Sequence, residues 1–286
     1  MPIFNRIAVV GAGLIGGSIL LAAARRGLAN SYAGWSRSAE AQQTLRDFAV
    51  AEIFSTPEAC VRGADLIIVA TPVDRMKETF RIIKPHLTPG AIVTDAGSVK
   101  ASILADAKIL PKTVTFIGSH PMAGSEKAGS AHADAELFNK RLCFVTSTGR
   151  EKEDDLKKVM GFWQALGSQI SLVDAAEHDQ IVASISHLPH ASAAALMLAV
   201  QASAGFQTRA AGQGLRDATR IAAGEENLWT GIFLSNRENV VQGLTELEKR
   251  TQELKRLIES ADAAGLQKFL AEARIARQAL DRHHEK

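Results

Sequence analysis

Ile7-Ala8-Val9-Val10 runs directly into Gly11-Ala12-Gly13-Leu14-Ile15-Gly16, and this junction narrows the possible folds more than any other part of the chain. A short β-branched run closed by glycine reads as a strand buried on both faces. The apolar residues after it, Ile15, Ile19, Leu20, Ala23 and Ala24, recur at helical spacing and stop at Gly27. Strand, glycine-rich turn and helix in that order begin a parallel sheet with crossover helices. Gly11 closes the tight turn and Gly13 lets the backbone approach a pyrophosphate. Gly16 lets the helix pack close to the strand. The amides around Leu14 and Ile15 open the helix N-terminus, which favours an anion. The implied ligand is a dinucleotide.

Further strand patterns lie at residues 32–35, 66–70, 91–95, 115–118, 142–146 and 169–173, with helical segments such as 39–48 and 154–166 between them. This alternation predicts an α/β fold, a doubly wound parallel sheet over residues 1–173. Asp174 then reads as a helix N-cap, and the remaining pattern is helical: 175–199, 210–223, 227–261 and 266–282. Residues 174–286 are therefore expected to form an all-helical domain. In its third helix Val240, Leu244, Leu247, Leu254 and Ile258 follow a heptad-like seam. A helical half with several apolar faces and no sheet to cover them is expected to pair with a copy of itself as a homodimer.

The formal charge of +2 on 286 residues, with lysines and arginines dispersed among acids, gives no footprint for nucleic acid. No run of about 18 consecutive apolar residues predicts a membrane span. The chain enters its first strand at once, leaving no room for a signal peptide, so a cytoplasmic protein is expected. Cys60 and Cys143 are isolated and read as buried thiols.

Several polar clusters then fall at strand ends, the edge where ligands of such sheets bind. After the second strand, where NAD sites usually carry an acid, stands Ser36-Arg37-Ser38, with no acid before Glu40. Hydroxyls around a guanidinium suit a 2′-phosphate, so NADP is the preferred cofactor, with NAD possible. Thr71-Pro72 ends another strand at the cofactor edge. Ser98, in Asp95-Ala96-Gly97-Ser98-Val99-Lys100, either caps the next helix or turns its hydroxyl toward the nicotinamide. His120 in Gly118-Ser119-His120-Pro121 should emerge beside it, where an imidazole can accept a hydroxyl proton. His187 and His190 share a helix face in Ser186-His187-Leu188-Pro189-His190, but no third ligand is near and no metal is expected. Instead, one ring should line a cleft, with Pro189 kinking the helix. Arg220, oriented by Asp217 three residues earlier, reads as a clamp for a substrate carboxylate, with Trp229 as a wall. A surface ion pair is the plainer alternative.

These segments, together with Glu126 in Gly124-Ser125-Glu126-Lys127 and with His178-Asp179-Gln180, make the chain resemble the prephenate/arogenate dehydrogenases of tyrosine biosynthesis. The resemblance spans almost the whole chain in order. It implies a Rossmann domain followed by a helical dimerisation domain, with hydride transfer to NAD(P) and decarboxylation of a cyclohexadienol. By the same resemblance, His120 accepts the hydrogen bond of the ring hydroxyl and Ser98 orients it. Arg220 takes the ring carboxylate, while Glu126 and His187 line or gate the cleft. The chain's end soon after its last helix is expected to leave no room for a regulatory or mutase domain. The rival expectations are a β-hydroxyacid dehydrogenase or imine reductase, and a catalytically silent NADP-sensing dimer. The first would want a lysine, or another proton donor, in residues 175–199, where this chain has no lysine and offers histidines instead.

Overall fold

The computed structural model describes residues 2–124, 129–147, 151–203 and 205–284. Strands and helices alternate from the start: β1 (Phe4–Val10), α1 (Leu14–Arg25), β2 (Ala29–Trp35), α2 (Ala39–Asp47), β3 (Glu52–Ile53), α3 (Pro57–Val61), β4 (Leu66–Val69) and α4 (Met76–Ile83). They continue through β5 (Ile92–Asp95), α5 (Ala101–Ala107), β6 (Thr115–Pro121), β7 (Leu142–Thr146), α6 (Glu153–Ala165) and β8 (Gln169–Val173). All eight strands join one sheet in the order β3-β2-β1-β4-β5-β6-β7-β8. The order reverses between β1 and β4, and the glycine-rich turn lies at that switch.

The strands are buried in two alternating sets. Ile7 and Val9 of β1, and Leu66 and Ile68 of β4, join one core with Ile19 and Leu20 of α1 and Phe162 and Trp163 of α6. Ala8, Val10, Ile67 and Val69 point the other way, against Val61, Met76, Phe80 and Ile103 from α3, α4 and α5. A period of two with both faces covered explains why these strands read as continuous apolar runs. Each large side chain so buried contributes roughly 1.5–3 kcal/mol. Cys60 and Cys143 are both buried free thiols, and burial pushes the Cys60 thiol up to about 12.

The sheet is not wholly parallel as expected: β7 runs antiparallel to β6. The described residues between them form only a short 3-10 turn, Ser130–His132. A parallel return usually crosses over through an α-helix, and the described residues of this connection hold none. That pairing also carries β6 three residues past the expected 115–118, setting His120 opposite Phe144.

After β8, the Asp174 carboxylate accepts from the Glu177 amide and caps α7 (Ala175–Val182) as expected. The helix widens into a π-type turn, Ala183–His187, before α8 (Leu188–Gln201). Pro189 has no N–H to give to the preceding turn, and the ladder loosens into a π-type turn there. This whole run, Ala175–Gln201, is long and apolar enough by length and composition to cross a membrane. It nonetheless carries buried His178, Asp179 and His187.

Residues expected as one helix at 210–223 divide into α9 (Gln213–Thr219) and a 3-10 turn. The expected 227–261 helix breaks at Asn236, between α10 (Glu226–Ser235) and α11 (Arg237–Glu259). The last helix is α12 (Ala263–His284).

The chain forms two compact units, one up to Arg237 and one from Glu238 onward. In the second unit the predicted seam is only partly covered: Leu244, Leu247 and Ile258 stay exposed, and Leu257, which the spacing passed over, is buried.

Candidate active site

The nucleotide loop follows β1 as its glycines require. Gly11 has φ +97, and a Cβ there would lie 2.7 Å from the Ala70 and Thr71 backbone. A Cβ on Gly16 would meet the Gly11 carbonyl at 2.5 Å, so the helix seats against the turn only without one. The face of Gly13 is open space, and no side chain caps the N-terminus of α1. The amides of Leu14 and Ile15 therefore open a cradle that fits a pyrophosphate. At the next strand end Arg37 is exposed and makes no ion pair among the described residues. Ser38 caps α2 through the Ala41 amide, and the Ser36 carbonyl accepts from Gln42. Thr71 Oγ1 lies 3.2 Å from Thr79 Oγ1, and Pro72 is exposed beside it.

His120 is all but buried, at 8% exposure, and its ring is engaged by α7. Its Nδ1 lies 2.9 Å from His178 Nε2, and His178 Nδ1 lies 2.7 Å from Asp179 Oδ1. The hydrogen-bond network assigns the protons. A carboxylate can only accept, so His178 donates from Nδ1 and its Nε2 carries a lone pair. His120 must then donate from Nδ1, which leaves its Nε2 as an acceptor. Burial holds the His120 imidazole well below its ordinary value, helped by the charges of His178, Lys100 and His187. It is neutral at pH 7. A neutral, tautomer-locked imidazole at the carboxyl edge of a parallel sheet can accept a proton from a substrate hydroxyl.

Asp179 serves a second purpose. Its two oxygens accept the amides of Lys100, at 2.7 Å, and Ala101, at 2.9 Å, at the start of α5. Ser98 is thus not the cap of that helix. It is half-buried, and its hydroxyl makes no hydrogen bond among the described residues. Beneath this loop Lys100 is fully buried. Its ammonium pairs with Asp95 and donates to the Ser119 carbonyl at 2.8 Å. Burial pulls Lys100 down from its ordinary value, and the Asp95 carboxylate partly offsets this.

The helical residues gather around Trp229. His190 stacks on its indole with ring centroids 3.5 Å apart, and His190 Nδ1 donates to the Ser186 carbonyl. His190 lies below its ordinary value through burial, and the Arg220 charge adds to that shift. Arg220 itself is exposed, in the turn after α9. Asp217 accepts a hydrogen bond from Gln213 at 2.7 Å. His187 is fully buried 6.2 Å from Trp229, and burial lowers it to about 4. Asn236 donates to the Asp179 carbonyl and to His187 Nδ1, which puts the His187 proton on Nε2. That Nε2 is buried without a partner among the described residues. Glu126 lies outside the described residues.

The structure thus adds His178, Asp179, Lys100, Asp95 and Asn236 to the predicted set. Four of these stood in view: Asp95 and Lys100 bounding a segment at a strand end, and His178-Asp179 just inside a capped helix. Asn236 gave no signal, since its place depends on a helix break. The family model for the nucleotide-binding domain of prephenate dehydrogenases matches residues 21–172, and that for their dimerization domain matches residues 174–272. The prephenate dehydrogenase of Lactococcus lactis is 31% identical over 289 residues, spanning 98% of this chain and 78% of that protein. The crystal structure of Aquifex aeolicus prephenate dehydrogenase with hydroxyphenyl propionate and NAD+ superposes with a TM-score of 0.89 at 30% identity, covering 96% of this chain and 98% of that one. For Synechocystis arogenate dehydrogenase the TM-score is 0.81 at 30% identity, with 96% and 99% covered. Matched along both of its halves in sequence and over nearly its whole length in fold, the chain belongs to the prephenate dehydrogenase family.

Proposed function

We propose that the protein oxidatively decarboxylates prephenate, arogenate or both, passing hydride to NAD(P) and giving 4-hydroxyphenylpyruvate or tyrosine. The observation that carries this is the Asp179–His178–His120 chain, which leaves His120 Nε2 as an acceptor at the sheet's carboxyl edge. The nicotinamide nucleotide, when bound, supplies the hydride acceptor, held by Gly11, Gly13, Leu14, Ile15 and Gly16, with Thr71 and Pro72 beside it. His120 accepts the ring hydroxyl's hydrogen bond and takes its proton as that carbon is oxidised, and Ser98 orients the hydroxyl. Arg220 binds a substrate carboxylate with Asp217 in support, and His187, Glu126 and Trp229 line the cleft. His190, stacked on Trp229 beside Arg220, joins them. Loss of carbon dioxide makes the ring aromatic, so positioning is most of what the protein must supply.

NADP is the preferred cofactor in this reading, because an exposed Arg37 between two serines offers a phosphate a free guanidinium. Residues 1–173 hold the nucleotide, and residues 174–286 complete the cleft and form the homodimer. As an enzyme of amino-acid biosynthesis it works in the cytoplasm. The test is reduced-nicotinamide absorbance with prephenate or arogenate and NAD or NADP in all four pairings. Turnover in any pairing supports the reading and ranks substrate and cofactor. Folded, nucleotide-binding protein that is silent in all four overturns it.

A further inference from the structure

Lys100 is a fully buried cation that the chemistry above does not use, and an ammonium is seldom taken that far from water without a reason. Its surroundings are specific. Asp95, at the end of β5, accepts the Ser119 amide at 3.0 Å through Oδ1 and the Gly97 amide at 2.8 Å through Oδ2, and it pairs with Lys100 Nζ. Lys100 Nζ donates to the Ser119 carbonyl at 2.8 Å. The Ser119 hydroxyl is held as well, 2.8 Å from Thr94 Oγ1. Every polar group of the residue before His120 is therefore tied down, two of them by this one ion pair. The Lys100 amide is held in turn by Asp179, the same carboxylate that orients His178. Lys100 joins the β5 edge, the strand that carries His120 and the helix that carries its relay.

We propose that Lys100, paired with Asp95, is a positioning residue for the reaction: it fixes the Ser119–His120 peptide and sets a buried positive charge one peptide from the imidazole. The proposal rests on His120 acting as the proton acceptor. Among the described residues, the titratable groups around His120 are His178 and Asp179 on α7, His187 on the π-type turn, Cys143 on β7, and the Lys100–Asp95 pair below. Of these, the ammonium lies on the peptide bonded to His120. A cation there disfavours a second one on the ring and so keeps the acceptor lone pair free at lower pH.

Two variants separate placement from charge. Lys100→Gln keeps donors for Asp95 and the Ser119 carbonyl but removes the charge. The acid limb of its kcat/KM profile should move up by about one pH unit, with neutral-pH turnover reduced by less than about tenfold. Lys100→Met removes the donors too. It should lose about 10² in kcat, with the substrate KM changed by less than about threefold and nucleotide affinity unchanged. Histidine-selective 15N NMR on the nucleotide-free protein reads the His120 titration without turnover. An unmoved His120 titration in folded Lys100→Gln overturns the charge argument, and wild-type kcat in folded Lys100→Met overturns the clamp. Should neither variant fold, Lys100 belongs to folding alone and the proposal fails. An inactive wild type would instead strike the functional reading, and the NMR comparison would still decide on the charge.

Discussion

A buried imidazole serves as a proton acceptor only while it is neutral and its free lone pair faces the cleft. Both conditions turn on single side chains here. The His120 ring is held below its ordinary value, so protonation, which destroys the acceptor, sets in only on the acid side of pH 6.5. The kcat/KM profile should be flat through neutrality and fall with acid below 6.5, and a limb above 6.5 would remove His120 from the role. His120→Asn should lower turnover by roughly 10² or more while nucleotide binding, measured by fluorescence titration, is kept. The same histidines couple folding to pH. His120, His178, His187 and His190 are all lowered in the folded protein, so the unfolded chain binds more protons in acid. Their contribution to stability is complete above about 6.5 and is lost as pH falls, down to about 4 for His187. Melting temperature should drop over that window in wild type and drop less steeply in His187→Gln. A flat melting profile between pH 6.5 and 4 would refute the coupling.

At the scale of the element, the short helix α5 has no cap of its own and borrows one from α7. Asp179 therefore ties a helix N-terminus to the imidazole relay, and its removal should be felt in both. Asp179→Ala should cost about 1–3 kcal/mol in urea unfolding and lower kcat at least tenfold, whereas Asp179→Asn, which keeps one oxygen, should fall between Ala and wild type in both measures. If turnover survives in the alanine variant, the cap is only structural.

This junction also marks where sequence reading ran out. The strands other than the two-residue β3, which the reading missed, were legible because alternation into two cores makes unbroken apolar runs, and the glycine turn because sterics leave no substitute at Gly11 or Gly16. His120 and Ser98 could be placed because strand ends of such sheets face the ligand. The cap from Asp179 and the contact from Asn236 could not, since each spans more than fifty residues and depends on tertiary packing. Nor could the antiparallel β7, whose apolar run reads the same in either direction, or the break at Asn236, which helical periodicity on both sides conceals.

At the scale of the whole molecule the apolar surface argues for a second chain. Leu198 of α8 is 65% exposed and Leu234 of α10 is 68% exposed. In the second unit Leu244, Leu247, Ile258, Leu270 and Ile275 are exposed as well. Scattered apolar residues are ordinary on a surface, but leucines and isoleucines repeated along successive helices are more than a monomer usually leaves in water. A stable interface removes about 1,200–2,000 Å² from water, and exposed apolar helix faces of this kind are suited to supply it. Sedimentation should therefore show two chains, and the melting temperature should rise with protein concentration, since association stabilises only the folded form. Placing charges on the face, as Leu198→Glu with Leu234→Glu, should yield one chain per particle and a melting temperature independent of concentration. Neither leucine belongs to the proposed cleft, so turnover tests a further point. If the dissociated variant stays folded and keeps its kcat, each chain completes its own site. A folded single chain without activity would mean that the partner supplies part of the cleft.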